Sequence, residues 1–591
     1  MKKMVLTMLI AILLAFTSKA EAPKREFRSA WMAGMGIDWP KEAGNKTEQQ
    51  KELREYLDNF KRQNFTGVCI HVRPNADAYY KSTLEPWSSD LTGKRGKDPG
   101  WDPLAFAVEE CHKRGLECYA WLNPFRITAS SIEYTTPMDK EWIKNGWVMW
   151  GLYGSWRMFN PGIEEARRHC LDVFKEIYTN YDIDGMLFDD YFYPSPGMPG
   201  AKVGSTFLDG EDSESSDYDT WIESGSSFEL YDWRRENVNS FVREVFDELQ
   251  AERPDMRFGI GPAGVGHYSA SEYNLPTPAI KSSDWQYDKI YADCLAWLAD
   301  GSIDFISPQI YWARNHPTAP HDPLCEWWNM AADHFGRHCY TSIAAYKLES
   351  EFGGNDEVGW QEIAAQVDLS RKYTKNNSAG QIYYNTQSIN GPLYKGLGDY
   401  IGENSYLTKA LVPVVDWKEH PTYPEVSSLT DNNGELSWDA IERKGRTIIR
   451  YTVYAVPDDV TYESALAPDG DGIDSKYLVD VTYSPSYTLP ADKSQGCWYA
   501  VCVYDGYGFE NKPALVNYEG SDVAAVNDES AIKMTVSGNV VTFNRAPRYA
   551  TVCNVAGVQI ISESSVLTMT LPGPGVYIIN ADGTPMPVYV R

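Results

Sequence analysis

The sequence has few of the residues that would build a disulfide framework or a metal centre. Only 10 of its 591 residues are cysteine, which is far below the density of a disulfide-bonded scaffold. Cys69, Cys118 and Cys339 lie inside short apolar runs, where cysteine usually behaves as a small buried hydrophobic residue. No CxxC or HExxH motif occurs, and the nine histidines are scattered along the chain. We therefore expect neither a metal ion nor any other cofactor.

Positive charge is also in short supply. The chain has 54 Lys and Arg against 82 Asp and Glu, for a formal net charge of −28. A chain this acidic repels phosphate backbones and anionic membrane surfaces, which argues against a nucleic-acid partner. Aromatic residues are abundant, with 20 Trp and 39 Tyr. They suit a protein that lays flat rings against a neutral, hydroxyl-rich ligand, although they would equally suit the cores of β-domains.

Long hydrophobic runs are missing after the N-terminus. The first residues are Met1-Lys2-Lys3, followed by the apolar run Met4–Phe16 and a small-residue cleavage site that ends at Ala22. This pattern is typical of a secretory signal peptide, and the run is shorter than the roughly 20 apolar residues that span a bilayer. We therefore predict that residues 1–22 are a signal peptide. The protein is expected in the periplasm, at the cell surface or in the medium, without a membrane span.

Short apolar runs alternate with amphipathic helical stretches over residues 26–400. Strands alternating with helices predict a parallel sheet that is buried on both faces, and eight such units fit a (β/α)8 TIM barrel over residues 23–412. An open, doubly wound sheet is the alternative, but no GxGxxG motif follows the first run to support it. The eight runs are Phe27–Gly34, Gly67–Arg73, Glu117–Asn123, Gly185–Asp190, Arg257–Pro262, Asp304–Trp312, His338–Tyr346 and Gln381–Thr386.

The pattern changes to alternating β-strands beyond a proline-containing linker, residues 413–424. Residues 424–518 resemble a fibronectin type III module, an immunoglobulin-like sandwich, mainly through Leu436-Ser-Trp438 and Trp498-Tyr-Ala-Val501. We expect this module to be a spacer or a packing partner for the barrel. Residues 522–591 alternate again and predict a second small all-β domain, so the fold class is an α/β barrel followed by two all-β domains.

Barrel enzymes carry their active sites at the carboxyl ends of the strands, and this rule sorts the polar residues. Asp184 and Asp304 open their strands and belong at the opposite end. Carboxylates among aromatic rings and amides suit glycoside hydrolysis, in which one carboxyl protonates the leaving oxygen while another attacks or activates water. The carboxyls at the strand ends are Asp77, Asp189 and Asp190. The predicted substrate-binding residues are Arg73, Trp121, Asn123, Arg126, Tyr193, Gln309, Tyr311 and Trp312.

Asp189, Asp190 and Asp77 are the predicted catalytic carboxyls. Consecutive strand residues point to opposite faces, so Asp189 and Asp190 cannot both face inward if the strand stays regular. One of them is expected to act in catalysis while the other braces it. Asp77, with Glu85 behind it, is the predicted second carboxyl from another strand. The alternative for each is an ion pair that anchors a loop.

Other classes of function find less support in the sequence. An esterase or a lyase is disfavoured because neither a Ser-His pair nor a metal triad appears. A non-catalytic protein that binds glycans, or serves as a scaffold at the cell surface, stays open as the alternative to an enzyme. Release of saccharide from a glycan would distinguish the two.

Five sequence blocks in a fixed order carry a family resemblance. They resemble the glycosyl-hydrolase-like family 10 proteins, among which is a divisome-associated peptidoglycan glycosidase. The resemblance implies a (β/α)8 barrel over residues 26 to about 400 and hydrolysis of a glycan, with peptide-free peptidoglycan strands as the expected substrate. The blocks are Val72-Arg73-Pro74 with Asp77, Ala120–Pro124, Asp182–Pro194, Asp232-Trp-Arg-Arg235 and Ser307–Trp312.

The same resemblance places an acidic cluster on Asp189-Asp190, with Arg73, Asp77, Asn123, Gln309 and Tyr311 around it. The chain departs from the chitinase-type pattern DGxDxDxE, since Tyr191 stands at the position of the final Glu. The substrate-assisted mechanism of chitinases is therefore not expected to transfer directly.

An anionic glycan would need positive charge at the cleft of so acidic a chain. Arg73 and Arg126 are the available cations at the strand ends. We predict from the sequence that Arg73→Ala weakens an anionic glycan more than a neutral one. An equal loss on both would mean that Arg73 only braces its loop.

Overall fold

A computed structural model describes residues 22–518 and 534–590 with internal gaps. Apart from Ala22, the predicted signal peptide lies outside the described residues. The chain divides into two compact units, residues 1–518 and 519–591. No helix among the described residues is long and apolar enough to cross a membrane. The gaps are residues 129–135, 153–155, 196, 201, 204–205, 208–214, 266–269, 279, 281–284, 376–378, 538, 544–545, 548–549, 555–558, 564–565 and 582–583.

The larger unit is built on one parallel sheet that curls into a barrel. Its strands are β1 Glu26–Met32, β2 Gly67–Arg73, β3 Glu117–Leu122, β4 Gly185–Phe188, β5 Arg257–Ile260, β6 Phe305–Ile306, β7 His338–Cys339, β8 Thr341–Ile343 and β9 Ala379–Tyr384. They are ordered β7-β6-β5-β4-β3-β2-β1-β9-β8 in the sheet. Only Tyr340 separates β7 from β8, so both edges of the sheet belong to one stretch of chain and the ring is nearly closed. The predicted (β/α)8 class is confirmed.

Helices connect the barrel strands and carry local signals at their ends. Asp102 caps the helix Pro103–His112, because its side chain accepts from the backbone N–H of Ala105 at 3.0 Å. Leu53, Leu57 and Phe60 form the buried stripe of the first long helix. The α-helices of this unit up to residue 404 are Lys46–Arg62, Ser89–Thr92, Pro103–His112, Pro137–Lys144, Glu164–Asn180, Tyr218–Ser224, Leu230–Glu252, Cys294–Asp300, His321–His334, Glu357–Tyr373, Thr386–Asn390 and Leu397–Asn404.

Aromatic rings fill the interior of the barrel. Phe27 on β1 stacks on Tyr340 with ring centroids 4.5 Å apart, and Trp31 meets Trp121 edge-on at 4.8 Å. These residues belong to one buried cluster, so the barrel is a packed core and not a pore. Part of the aromatic excess noted in the sequence is therefore structural.

Two small sheets interrupt the connections after β3 and β4. The segments Arg126–Thr128, Val148–Trp150 and Arg157–Phe159 form an antiparallel sheet. The pair Lys202–Val203 and Thr206–Phe207 follows β4 within residues 195–230, an acidic insertion rich in Gly, Ser and Asp. Residues 208–214 of this insertion lie outside the described part. Both additions arise at the carboxyl ends of the strands, on the side where the predicted site residues lie.

A β-sandwich completes the larger unit. Two antiparallel sheets of three and four strands enclose a core that includes Leu436, Trp438 and Tyr451. The architecture fits the predicted immunoglobulin-like sandwich, while its assignment to the fibronectin type III class stays a prediction. The strands are Thr430–Asp431, Glu435–Ser437 and Ser486–Thr488 in one sheet, and Ile449–Pro457, Leu478–Thr482, Cys497–Asp505 and Ala514–Val516 in the other; a short helix spans Tyr462–Ala465.

The sandwich packs against the amino-terminal ends of the barrel strands. Arg450 of the sandwich forms an ion pair with Glu117 at the start of β3, and Arg257 at the start of β5 lies 3.4 Å from the same carboxylate. These three side chains are almost completely buried. Tyr483 donates to Asp184 at 2.8 Å, and Lys418 pairs with Asp304 at 2.7 Å. Asp184 therefore contacts the sandwich and Asp304 contacts the linker of residues 413–424, both at the end of the barrel opposite to the predicted site.

The smaller unit contains two antiparallel sheets with a buried core that includes Val541, Phe543, Val552 and Ile579. The first sheet is formed by Met534–Ser537, Val540–Phe543 and Thr568–Thr570. The second is formed by Gln559–Glu563, Ala550–Asn554, Gly575–Ala581 and Thr584–Val590. The described residues of this unit form strands with alternating burial, as the sequence pattern predicts.

Candidate active site

Asp189 follows the last residue of β4 and lies in the mouth of the barrel. Its carboxylate accepts hydrogen bonds from Trp121 Nε1 at 3.2 Å, from Asn123 Nδ2 at 2.8 Å and from the backbone N–H of Tyr191 at 3.5 Å. Burial raises the pKa of Asp189, although the charge of Arg126 and these donors oppose the shift. Three donors hold this carboxylate in one orientation.

Asp190, the next residue, is buried as well. Burial and the neighbouring charge of Asp189 raise the pKa of Asp190 to about 7, against the opposing effect of a hydrogen bond to Gln309. A carboxyl with this pKa is partly protonated at neutral pH and can therefore donate a proton. Asp189 and Asp190 thus form a pair with different environments, one held by donors and one kept partly neutral.

Trp121 and Asn123 are positioning residues for Asp189. The Oδ1 atom of Asn123 accepts from the backbone N–H of Arg126 at 2.7 Å, so both ends of this amide are in use. Trp121 stacks on His71 with centroids 3.8 Å apart and planes 6° apart. Burial and the charge of Arg126 lower the pKa of His71 well below its usual value. This imidazole is therefore neutral, and neither ring nitrogen has a hydrogen-bond partner among the described residues.

Arg126 brings positive charge to the mouth. Its Nε and Nη2 atoms donate to the carbonyl of Pro74 at 3.1 and 3.0 Å. The guanidinium lies 4.9 Å from the ring centroid of Tyr191 and 6.0 Å from that of Trp156. The charge of Arg126 acts on both Asp189 and Asp190, and a contact of Arg126 with an anionic glycan stays a prediction.

Rings from the other side of the barrel reach the same mouth. Tyr311 lies 6.0 Å from Tyr346 and 5.8 Å from Tyr384, measured between ring centroids. The side-chain amide of Gln309 donates to the carbonyl of Gly261 at 2.7 Å. Tyr346 and Tyr384 are not among the residues predicted from the sequence. Tyr384 is the last residue of β9, so the rule of strand ends would have found it.

Trp312 is half-buried beside this group, with Lys347 Nζ 5.9 Å from its ring. Its backbone carbonyl accepts a hydrogen bond from Gln366. A sugar contact of Trp312 stays a prediction.

Arg73 and Glu85 form an ion pair with each other inside the protein. Arg73 Nε donates to Glu85 at 2.9 Å and Nη1 donates to the carbonyl of Pro124 at 3.0 Å, and both side chains are completely buried. Burial opposes ionisation of Glu85, but the charge of Arg73, the interaction with His169 and the hydrogen bond from Arg73 together outweigh it and lower the pKa of Glu85 to about 2. Arg73 therefore braces the loop after β3, which corrects its predicted contact with substrate.

Asp77 is likewise engaged within its own loop. Its carboxylate pairs with Arg95 at 3.2 Å and accepts from the backbone N–H of Asn75 at 3.0 Å. Burial raises the pKa of Asp77 to about 6, against the charge of Arg95. Within the described residues none of its contacts is with Asp189 or Asp190. These contacts are those of a loop anchor, and a catalytic role for Asp77 stays a prediction.

Tyr193 lies in the core and not on the surface of the mouth. It is completely buried and meets Tyr291 edge-on at 4.8 Å. Arg234 bonds the same Tyr291 at 2.7 Å and forms a two-point ion pair with Asp217 at 2.8 and 2.6 Å. The predicted contact of Tyr193 with substrate is thus corrected to a packing role. The motif Asp232–Arg235 anchors the end of the acidic insertion to the barrel.

No three side chains of His, Cys, Asp or Glu within the described ranges are grouped closely enough to hold a metal ion. The donors of the mouth are instead carboxyls, amides, an arginine and phenol rings. This set can move a proton, stabilise a developing positive charge and pack against a sugar ring.

Comparison with known proteins agrees with this chemistry. The family model described as Glycosyl hydrolase-like 10 matches residues 26–361. Glycosyl hydrolase YngK of Bacillus subtilis strain 168 is 35% identical over 424 residues, which cover 70% of this chain and 78% of that protein. Glycosyl hydrolase DigH of Escherichia coli strain K12 is 28% identical over 407 residues, covering 64% of this chain and 86% of that protein.

A solved structure with similarity to the chain is the glycoside hydrolase domain of PgaB (BpsB) from Bordetella bronchiseptica. It has a TM-score of 0.39 and 13% sequence identity, and the match covers 64% of this chain and 98% of that one. The family model alone spans more than half of the chain. The chain therefore belongs to the glycosyl hydrolase-like 10 family, and the enzyme class predicted from the sequence, a glycoside hydrolase, is confirmed.

Proposed function

We propose that this protein is an exported glycoside hydrolase that cleaves peptide-free peptidoglycan strands or a related N-acetylated glycan. The observation that carries the proposal is the pair Asp189–Asp190 at the carboxyl end of β4. One carboxylate is held by three donors, and burial with its neighbour's charge raises the pKa of the other to about 7. Export rests on the pattern of residues 1–22, and the glycan class rests on the family.

In the proposed reaction Asp190 is the general acid. Its proton passes to the glycosidic oxygen as the bond between that oxygen and the anomeric carbon breaks. Asp189, facing the interior of the barrel, stabilises the positive charge that develops at the sugar ring. It then takes the proton of the water that adds to the anomeric carbon. Trp121 and Asn123 keep Asp189 in place without contacting the reacting atoms.

The direct test is to incubate the full chain with peptide-free peptidoglycan strands and with neutral glycans of plant or host origin. Soluble saccharides released from the strands, measured by chromatography and mass spectrometry, would support the proposal. Binding to these strands without release would contradict hydrolysis of this substrate. Release from a neutral glycan alone would keep the enzyme class and overturn the substrate.

The pH dependence of the reaction follows from the raised pKa of Asp190. A general acid must be protonated, so kcat/KM should fall as pH rises through about 7. Gln309→Leu removes a hydrogen bond that favours the charged carboxylate. The descending limb should therefore move to higher pH.

Gln361→Leu is the matched control, since Gln361 is exposed and donates a hydrogen bond to Glu357 on its own helix. If the descending limb of kcat/KM in Gln309→Leu stayed at the same pH or moved to lower pH, the assignment of Asp190 as the acid would be contradicted.

Arg126 is expected to select anionic glycans. Its charge lies beside Asp189 and the ring of Tyr191, where a lactyl carboxylate would find a partner. Arg126→Ala should lower kcat/KM on natural strands about tenfold more than on strands whose carboxylates are reduced to alcohols, as expected for loss of a charge-assisted hydrogen bond.

Arg73→Ala is expected to affect both substrates equally, because Glu85 and backbone carbonyls occupy its donors. Arg168, half-exposed on an outer helix, provides the control Arg168→Ala. A larger selective loss from Arg73→Ala than from Arg126→Ala would reverse the two roles.

A further inference from the structure

Two groups of aromatic side chains border the mouth of the barrel. The tyrosine group consists of Tyr311, Tyr346 and Tyr384, whose ring centroids are 5.8 to 6.0 Å apart. The tryptophan group consists of Trp156 and Tyr191, with centroids 5.3 Å apart. Neither group is buried: Tyr346 is 39% exposed and the other four rings are partly exposed. Both groups therefore have ring surface available to a ligand.

The order of strands places the two groups on opposite sides of the mouth. The tyrosine group lies at or beyond the ends of β6, β8 and β9. Trp156 lies in the connection between β3 and β4, and Tyr191 follows β4. Around the ring, β5 separates the groups on one side, and β1 and β2 separate them on the other.

The pair Asp189–Asp190 follows β4, directly before Tyr191 of the tryptophan group, and its charges also act on the tyrosine group. Burial is the main cause that raises the pKa of Tyr311 and of Tyr384, and the charges of Asp190 and of Asp189 respectively add to it. The charge of Asp190 is also the largest cause of the raised pKa of Tyr191 in the tryptophan group. Both groups are thus close enough to feel the same two carboxylates.

This arrangement gives the cleft ring surface on both sides of the reacting position. Flat rings pack against the apolar C–H faces of sugars while hydroxyls stay available for hydrogen bonds. An enzyme that removes only terminal sugars needs such surface on one side of the scissile bond. Resting on the proposed function, we propose that a glycan chain lies across the mouth, with sugars bound by the tyrosine group on one side and the tryptophan group on the other, and that cleavage occurs inside the chain.

The test uses peptide-free glycan oligosaccharides of defined length, labelled with a fluorophore at the reducing end. Internal cleavage by the full chain should give labelled products of several intermediate lengths from the earliest times. Tyr346→Ala and Trp156→Ala should each lower kcat/KM on long oligosaccharides about tenfold, the scale of one lost ring contact. They should also shift the product lengths in different directions, because each removes binding on one side only.

Tyr373→Ala is the matched control, since Tyr373 ends an outer helix and bonds Asp322. Labelled products of one terminal length from the start, in the unaltered protein and in both variants, would overturn the inference. So would equal effects of Tyr346→Ala and Tyr373→Ala.

Binding of the same oligosaccharides to Asp190→Asn separates this inference from the proposed function. Affinity should rise with length until both groups are covered, and Tyr346→Ala should remove the gain at the longer lengths. Length-dependent binding without hydrolysis by the unaltered protein would keep the two-sided cleft and overturn the proposed reaction on this glycan. Affinity that stops rising after one or two sugars would overturn the two-sided cleft, whatever the hydrolysis assay shows.

Discussion

Asp190→Asn should lower the rate of glycan hydrolysis by about 10² to 10⁴-fold, the usual contribution of a general acid. Asparagine keeps the size of the side chain but has no acidic proton to give to the leaving oxygen. Because Asp190 is assigned to the chemical step and not to binding, kcat should carry the loss and KM should change little. Turnover of a glycan with a poor leaving group measures the effect.

Asp189→Asn should cause a loss of similar size for another reason. The Nδ2 atom that it introduces would meet Trp121 Nε1 or Asn123 Nδ2, both of which donate to Asp189. Two donors then oppose each other, so the side chain loses its orientation as well as its charge.

Asp172→Asn on an outer helix, where Asp172 is exposed, is the matched control and should leave turnover unchanged. Retention of more than half of the activity by Asp190→Asn would refute its role as the acid. Activity in both variants would move the chemistry to another carboxyl, and Asp77 would be tested next.

Glu117→Gln should destabilise the larger unit by about 3–5 kcal/mol, the cost of leaving buried charge without its partner. Glu117 lies between Arg450 of the sandwich and Arg257 of β5, and all three side chains are almost completely buried. Removing its charge leaves two guanidinium groups without their shared carboxylate. Thermal and urea unfolding of the full chain, followed by intrinsic fluorescence, measure the change.

Glu435→Gln serves as the control, because Glu435 is exposed on a strand of the other sheet of the sandwich. A loss no larger than that of the control would show that the cluster adds little to stability. Loss of catalytic activity at temperatures where Glu117→Gln stays folded would be unexpected, since the cluster lies at the end of the barrel opposite to Asp189.

The positions of the strands could be predicted from the sequence, because each barrel strand is a short apolar run between helical stretches. The end of the barrel on which a residue lies was also predictable. Asp184 contacts the sandwich and Asp304 contacts Lys418 of the linker, whereas Asp189 contacts Trp121 and Asn123. Both outcomes follow from where each residue stands along its strand.

The partners of charged side chains could not be predicted in the same way. Arg73 is the last residue of β2, where a substrate-binding residue would lie. Its guanidinium instead forms an ion pair with Glu85 of the following loop. Tyr193 follows β4, as a site residue would, but its side chain is buried in the core against Tyr291. The contacts of these two side chains are made with residues that are distant along the chain. A local sequence pattern does not show such contacts. Tyr346 was missed because it lies beyond the end of β8, in a short helical turn.

The contact between the sandwich and the barrel determines where the chain can be truncated without exposing its core. The sequence has a clear linker at residues 413–424, which invites expression of the barrel alone. Yet Trp498, Ala500 and Tyr504 of the sandwich share one buried cluster with Phe27 and Tyr119 of the barrel. A barrel that ended at residue 412 would open this shared core to water and leave Glu117 without Arg450. The linker marks a boundary in composition but not in folding, so the smallest transferable catalytic module ends near residue 518.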